Sequence, residues 1–189
     1  MALSLEYLPG GSLLEDVNRD GPYERSLGIH LGINIVSGVE YLHSVDIWHR
    51  DLKPGNILLS GDRHSKRQVR IADLGFARKI TASSLCYSLC GTPEYMAPEI
   101  WSRTQSRGYS YPVDVWSFGV TVFAFFSGYE PFAFGDAARQ CTGDAEYEAE
   151  VWESLYDIRS LLACVLVTSR RDRLTAMEAR RRLVIAAEL

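Results

Sequence analysis

From Tyr111 to Phe126 the sequence is apolar almost without a break. A helix with apolar residues on every side offers water no face, so it has to lie at the centre of a domain with other elements packed around it. The run is short for a membrane span, which needs about 20 apolar residues, and it carries Asp114. It therefore predicts the central helix of a globular domain. Asp114 on that helix has to be hydrogen-bonded, because an unpaired buried carboxylate is very costly. The 189 residues suit one domain with a real core, or one domain plus a fragment.

Composition narrows the function classes. With 47% hydrophobic and 23% charged residues the chain reads as globular rather than disordered. A net charge of −4 gives no general attraction to nucleic acid or anionic membranes, so neither is an expected partner. The four cysteines, Cys86, Cys90, Cys141 and Cys164, form no CxxC pair. Free thiols in a reducing compartment follow, and the Cys86–Cys90 spacing lacks neighbouring metal ligands. No basic segment and no long apolar stretch follow Met1, which argues against a signal peptide. The expected location is cytoplasmic, with the nucleus also open.

Ahead of the central helix, Leu3 to Leu8 reads as a short strand ended by Pro9-Gly10-Gly11. Ser12 to Arg25 reads as one short helix and a loop. Leu31, Ile35, Val39 and Leu42 recur at helical spacing, with Ile29, Ile33 and Val36 widening the stripe, so Ser26 to Ser44 is predicted to be a largely buried helix. Gly28, Gly32 and Gly38 each cost that helix up to about 1 kcal/mol, so packing must hold it. Beyond the central helix, Pro131 to Glu150 reads as an acidic loop. Helices resume near Val151, with Leu161, Leu162, Val165 and Leu166 facing a core. Thr175-Ala176-Met177-Glu178 fits a capping box at the start of the last helix. Arg170, Arg171, Arg180, Arg181 and Arg182 read most simply as solvated helix ends.

The chemistry is concentrated in His49-Arg50-Asp51-Leu52-Lys53-Pro54-Gly55-Asn56. A short loop can bring Asp51, Lys53 and Asn56 to one point: a carboxylate to orient a hydroxyl, a cation against phosphate and an amide oxygen for a metal. That grouping suits phosphoryl transfer. The pattern His-Arg-Asp-x-x-x-x-Asn arises by chance on the order of once per 10^5 positions at average residue frequencies. By itself it also fits a polar turn between two strands. Ile57 to Leu59 and Gln68 to Ala72 read as strands of a small hairpin flanking it. Asp73-Leu74-Gly75 then places a carboxylate at a strand end, able to hold a cation beside Asn56, or to form an ordinary Asx-turn. Phe76 to Thr92 has no clear period and is rich in Ser, Thr, Arg and Lys, as an exposed segment would be.

Four motifs now stand in order: His49 to Asn56, Asp73-Leu74-Gly75, Ala97-Pro98-Glu99, and Asp114-Val115-Trp116-Ser117-Phe118-Gly119. Together they resemble the large lobe of the eukaryotic protein kinases. The resemblance implies a mainly α fold, a kinase-like large lobe with small β-hairpins at the catalytic loop. It divides the chain into a hinge region (1–11) and a partial kinase domain (12–189), with catalytic loop 49–56 and activation segment 73–99.

It further implies ATP and Mg2+ as cofactors and a protein substrate. Asp51 would orient the substrate hydroxyl, and Lys53 would neutralise the transferring phosphoryl group. Asn56 and Asp73 would hold magnesium. Leu58 would lie beneath the adenine, whose edge would meet the backbones of Glu6 and Leu8. His49 and Leu74 would pack in an internal apolar spine, Asp114 would be a structural anchor, and Glu99 and Arg173 would form a buried ion pair bracing the substrate platform. Lys53 with Gly91-Thr92-Pro93-Glu94 resembles the serine/threonine branch. Arg50 implies control by activation-segment phosphorylation, with Ser88, four residues before Thr92, as the candidate site and Lys79 as a second partner for its phosphate; Ser88 also fits a plain loop serine.

Leu74 stands where the family more often has Phe, a mild departure. No residue matches the small lobe's Gly-rich loop, strand lysine or helix glutamate, since Lys53, Lys66 and Lys79 all follow the hinge. The expectation is a truncated serine/threonine kinase domain, inactive as an isolated chain. A non-catalytic interaction module derived from a kinase is the alternative, and another chain could cover the exposed hinge face.

Overall fold

The computed structural model describes residues 6–61, 67–79, 90–101, 112–132, 137–143 and 145–189. The fold is mainly helical. The apolar run forms α4 (Pro112–Ser127), and every residue in it is buried. Around it pack α2 (Arg25–Ser44), α6 (Ala149–Trp152) and α7 (Tyr156–Val165), while α8 (Ala176–Ala187) lies along α2.

Close approach explains one glycine of α2. A Cβ on Gly28 would sit 2.4 Å from the Phe126 ring, so only glycine allows α2 to cross α4 here. The propensity lost at this position is recovered as packing, as the stripe of buried residues Ile29, Leu31, Ile35, Val36 and Val39 requires.

The capping box expected at Thr175 is present, and Ser12 starts a second one that was not among the sequence expectations. Ser12 and Glu15 cap each other at the start of α1 (Leu13–Asp20), as Thr175 and Glu178 do for α8. Asp16 of α1 is fully buried and gathers Arg67 (2.8 Å), Arg19 (2.5 Å) and the Tyr23 hydroxyl. That network fixes α1 against the segment around Arg67, on the side of the domain that holds residues 49–56.

Two two-stranded ribbons position that loop. β1 (Ile47–Trp48) pairs antiparallel with β4 (Arg78–Lys79), and β2 (Ile57–Leu59) with β3 (Val69–Ile71). Residues 49–56 join β1 to β2, and residues 72–77 join β3 to β4. The two pairings therefore hold both connecting segments side by side. The β2–β3 hairpin matches the sequence expectation; the β1–β4 pairing has two residues per strand, too few for a readable alternation.

Other expectations need correction. Glu6 to Leu8 is irregular and leads into a turn at Pro9–Gly10, and the rest of the expected Leu3–Leu8 strand lies outside the described residues. The stretch read as an acidic loop contains α5 (Ala137–Thr142) and the start of α6. Helix α5 packs on α3 (Pro98–Trp101), a tertiary contact that its polar sequence did not announce. Among the described residues Cys141 and Cys164 are free thiols, and no helix is long and apolar enough to cross a membrane.

Phe123 of α4 centres an aromatic cluster with Tyr129, Tyr147 and Trp152, ring centroids 5.4, 5.3 and 4.7 Å away. Burial pushes the Tyr147 phenol up to about 12, although Arg159 above its ring acts in the other direction. The folded value exceeds the usual value of 10.0, so the unfolded chain loses this proton first. Tyr147 should therefore contribute fully below pH 10 and progressively less as pH rises towards 12. Chemical denaturation across that range should show alkaline destabilisation that is reduced in Tyr147→Phe.

Candidate active site

Asp114, at the start of the central helix, is the anchor. One carboxylate oxygen accepts the Arg50 backbone N–H (2.8 Å), and the other accepts the His49 N–H (2.9 Å) and His43 Nε2 (2.9 Å). The requirement that this buried carboxylate find partners is thus met by the amides of residues 49 and 50 and by His43. Arg50 sits in the left-handed region at φ 67°, unfavourable for a side-chain-bearing residue by roughly 1–2 kcal/mol. Its amide bond to Asp114 and the Nε bond to the Phe76 carbonyl (2.7 Å) hold it there.

His49 is fully buried. Its Nε2 meets the Ala72 carbonyl at 2.9 Å, and its Nδ1 accepts the Asp51 N–H at 3.3 Å. That pattern assigns a neutral ring protonated on Nε2. The ring joins the catalytic loop to the residue before Asp73. A second link runs from the Ala72 N–H to the Asn56 carbonyl (2.8 Å).

Asp51 is 4% exposed, and both its oxygens are engaged. Oδ1 accepts the Thr92 hydroxyl at 2.7 Å; Oδ2 meets Asn56 Nδ2 at 3.1 Å and Lys53 Nζ at 3.1 Å. Lys53 Nζ also donates to Thr92 Oγ1 at 2.6 Å. The expected trio of Asp51, Lys53 and Asn56 is therefore brought together, and Thr92 joins it from about forty residues further along the chain. A hydroxyl between a carboxylate and an ammonium is the arrangement a substrate hydroxyl would need. Gly91 permits the approach: its φ is 111°, and a Cβ would stand 2.6 Å from the Arg50 carbonyl.

The oxygen donors fit a hard cation. Asn56 spends its Nδ2 on Asp51, leaving Oδ1 as an acceptor. Asp73, exposed and at φ 60°, uses one oxygen to accept the Gly75 N–H (3.1 Å). The Asx-turn reading of this tripeptide thus holds at the same time as the second oxygen stays available. Among the described residues no three His, Cys, Asp or Glu side chains cluster as a cation cage. One carboxylate and one amide completed by phosphate oxygens and water would suit magnesium.

At the hinge side, Leu8 is buried and Leu58 half-buried, held together by a Ser12–Leu58 bridge and the Gly10 N–H to Leu59 carbonyl bond (2.9 Å). Glu6 is exposed, its carboxylate 3.5 Å from Arg70. Lys79 is exposed on β4. Ser88 lies outside the described residues. Leu74 corrects an expectation: it was to be a packing residue, yet it is 55% exposed. The turn Leu74–Phe76 projects away from the helical core, and no described element covers it, unlike His49.

Glu99 and Arg173 do form an ion pair, bidentate at 2.7 and 2.9 Å. Arg173 also donates to the Val167 carbonyl through Nε and Nη2 and to the Pro112 carbonyl through Nη1, so all five N–H groups are used. Its guanidinium lies over the Trp116 ring, 5.1 Å from the centroid. Sequence reasoning missed His43 as a partner of Asp114 and the Tyr95–Glu130 contact; neither has a sequence signature, since both are set by packing between distant segments.

A helical lobe around a carboxylate–lysine–amide loop, with a second carboxylate at a neighbouring strand end, defines the class. The protein kinase domain family matches residues 1–184, and the chain belongs to that family. It is 35% identical over 178 residues to the human cAMP-dependent protein kinase catalytic subunit PRKX, covering 92% of this chain and 46% of that protein. It is 41% identical over 128 residues to the human putative serine/threonine-protein kinase PRKY, covering 68% of this chain and 43% of the relative. Myosin light chain kinase A of Dictyostelium discoideum is 34% identical over 183 residues, covering 94% and 60%. The chain spans about half the length of the curated relatives it matches.

Proposed function

We propose that the chain carries the hydroxyl- and metal-handling half of a serine/threonine protein kinase site, which transfers the ATP γ-phosphate to protein hydroxyls. The observation that carries this reading is the triangle of Asp51, Lys53 and the Thr92 hydroxyl, closed at 2.6–3.1 Å. In it Asp51 accepts a hydroxyl proton and aims the oxygen, while Lys53 offsets charge on the phosphoryl oxygens. Asn56 and Asp73 hold Mg2+, which when bound neutralises the phosphate oxygens. Leu8 and Leu58 give the adenine an apolar floor, and the backbones of Glu6 and Leu8 meet its edge. Arg50 receives a phosphate on Ser88. Glu99 and Arg173 brace the platform on which the substrate lies.

The ATP-anchoring lysine implied by the family has no match among these residues, so the 189-residue polypeptide tested alone should transfer phosphate slowly. Whatever transfer from labelled ATP it supports should vanish in Asp51→Ala, and incorporation that survives this change would overturn the role given to Asp51. The metal assignment has its own readout. Mn2+ with ATP should broaden the amide signals of Asn56 and Asp73 first, and Asp73→Asn should remove that selectivity.

A second reading, a non-catalytic interaction module, rests on the exposure of Leu74 (55%) and Phe76 (44%), apolar side chains that a partner could cover. Uniform broadening without selectivity would favour it.

A further inference from the structure

Helix α8 buries Ala176, Ala179, Leu183 and Ala186 against the core, chiefly along α2. At about 3.6 residues per turn, the side directly opposite carries Met177, Arg181, Val184, Ile185 and Glu188. All five are exposed, Met177 by 59% and Ile185 by 52%. Glu188, the C-cap residue, keeps helical backbone angles and so belongs to the same face. The outward face of a surface helix is ordinarily polar, yet here three of its five side chains are apolar.

The charges flanking this face are committed within the chain. Arg180 pairs with Glu40 at 2.6 Å, Arg182 donates to Cys164 Sγ at 3.1 Å, and Glu178 closes the capping box with Thr175. Arg181 and Glu188 differ. Neither takes part in an ion pair among the described residues. They stand two turns apart, about 10 Å along the axis, beyond the spacing at which helical side chains pair. Glu188 also lies at the C-terminal end of α8, where the helix dipole disfavours a carboxylate.

A cation and an anion two turns apart, with apolar residues between them, make a face complementary to itself. A two-fold axis between residues 184 and 185 lays α8 antiparallel on the α8 of a second copy. Val184 and Ile185 of both copies then gather at the centre, and Arg181 of each faces Glu188 of the other. The arginine supplies a cation at the C-terminal end of the opposite helix, where the dipole favours one. An anionic membrane would call for basic residues on such a face, not for one of each sign. We infer that α8 is a self-association surface that pairs antiparallel with α8 of a second copy of this chain through Arg181, Val184, Ile185 and Glu188. Four side chains per copy are few against the roughly 20–30 residues of a standard interface, so the pairing is weak and reversible. It needs neither ATP nor phosphate transfer and stands apart from the kinase reading.

Sedimentation velocity of the 189-residue chain over a range of concentrations tests the pairing. The unchanged chain should form a reversible dimer that salt weakens. Arg181→Glu and Glu188→Arg should each weaken it at least about tenfold, because either change sets two like-charge contacts across the axis. Ile185→Ser should weaken it as well, by removing apolar contact at the centre. Mixing the two charge-reversed variants is the sharpest arm: they should associate with each other although neither associates with itself. Both reversals in one chain should restore the dimer. A variant that had merely unfolded would give neither result. A chain monomeric up to millimolar concentration would overturn the inference, as would association unchanged by the single reversals or a mixture no more associated than its parts. Cosedimentation of a monomeric chain with phosphatidylserine vesicles would assign the face to a membrane and equally overturn the pairing.

Discussion

Asp114→Asn is expected to lower the melting temperature by roughly 5–15 °C. The side chain keeps its shape but exchanges one acceptor oxygen for an NH2 donor. Whichever way the amide turns, it faces a backbone N–H, of His49 on one side or Arg50 on the other. One buried donor then loses its acceptor, at about 1–3 kcal/mol, and the charged character of the remaining bonds is lost as well. A total near 2–4 kcal/mol, at about 2–4 °C per kcal/mol for a domain of this size, gives the stated range. Asp114→Ala should cost more, since both amides and His43 lose their acceptor. His43→Ala should cost less, because it removes one partner and leaves both amide bonds. Thermal unfolding of the three variants gives the order directly, and an Asn variant as stable as the parent would contradict the anchoring role. The damage should not be confined to stability: Arg50, freed from Asp114, has less to hold it at positive φ, so the Asp51 carboxylate would lose its fixed position.

The Glu99–Arg173 pair should show a comparable loss, with a different pattern of rescue. Arg173→Lys keeps the charge but supplies three donors where five are used, and it removes the planar group over Trp116. Glu99→Ala leaves the guanidinium buried with its charge uncompensated. Truncating one member of a buried pair in this way costs about 3–5 kcal/mol. Replacing both members with apolar residues of similar volume should recover most of that loss, because the desolvation of two charges disappears with them. A double-mutant cycle with Glu99→Leu and Arg173→Met measures the coupling, and additive effects would show that the pair contributes little. Residual loss in the double variant is expected from the Val167 and Pro112 carbonyls, which Arg173 also satisfies.

Both predictions concern residues whose motifs were visible in the sequence but whose partners were not. The apolar run from Tyr111 to Phe126 required a central helix, and Asp114 within it required partners, on hydrophobic and electrostatic grounds alone. Nothing in the sequence said that those partners are two catalytic-loop amides and His43, because they come from segments more than sixty residues away. The glycines of α2 looked like a liability by helix propensity. Gly28 turned out to be the point at which two helices touch.

Leu74 shows the reverse case. Its motif suggested interior packing, but burial is a property of what surrounds a residue, and here no described element does. The stretch from Pro131 to Glu150 looked like a loop because polar residues mask the helical period; contact with α3 makes part of it α5. Thr92 was legible as part of an activation segment, yet its place between Asp51 and Lys53 depends on Gly91 passing over the Arg50 carbonyl.

The sequence by itself determined the family, the central helix and the chemical identities of Asp51, Lys53, Asn56 and Asp73, because motif spacing and hydrophobic period are local properties of a chain. The tertiary structure alone decided which groups meet: Thr92 with Asp51, His43 with Asp114, and Tyr95 with Glu130. Those meetings are set by the close packing of distant segments, where a few tenths of an ångström separate contact from clash, and no local pattern encodes that.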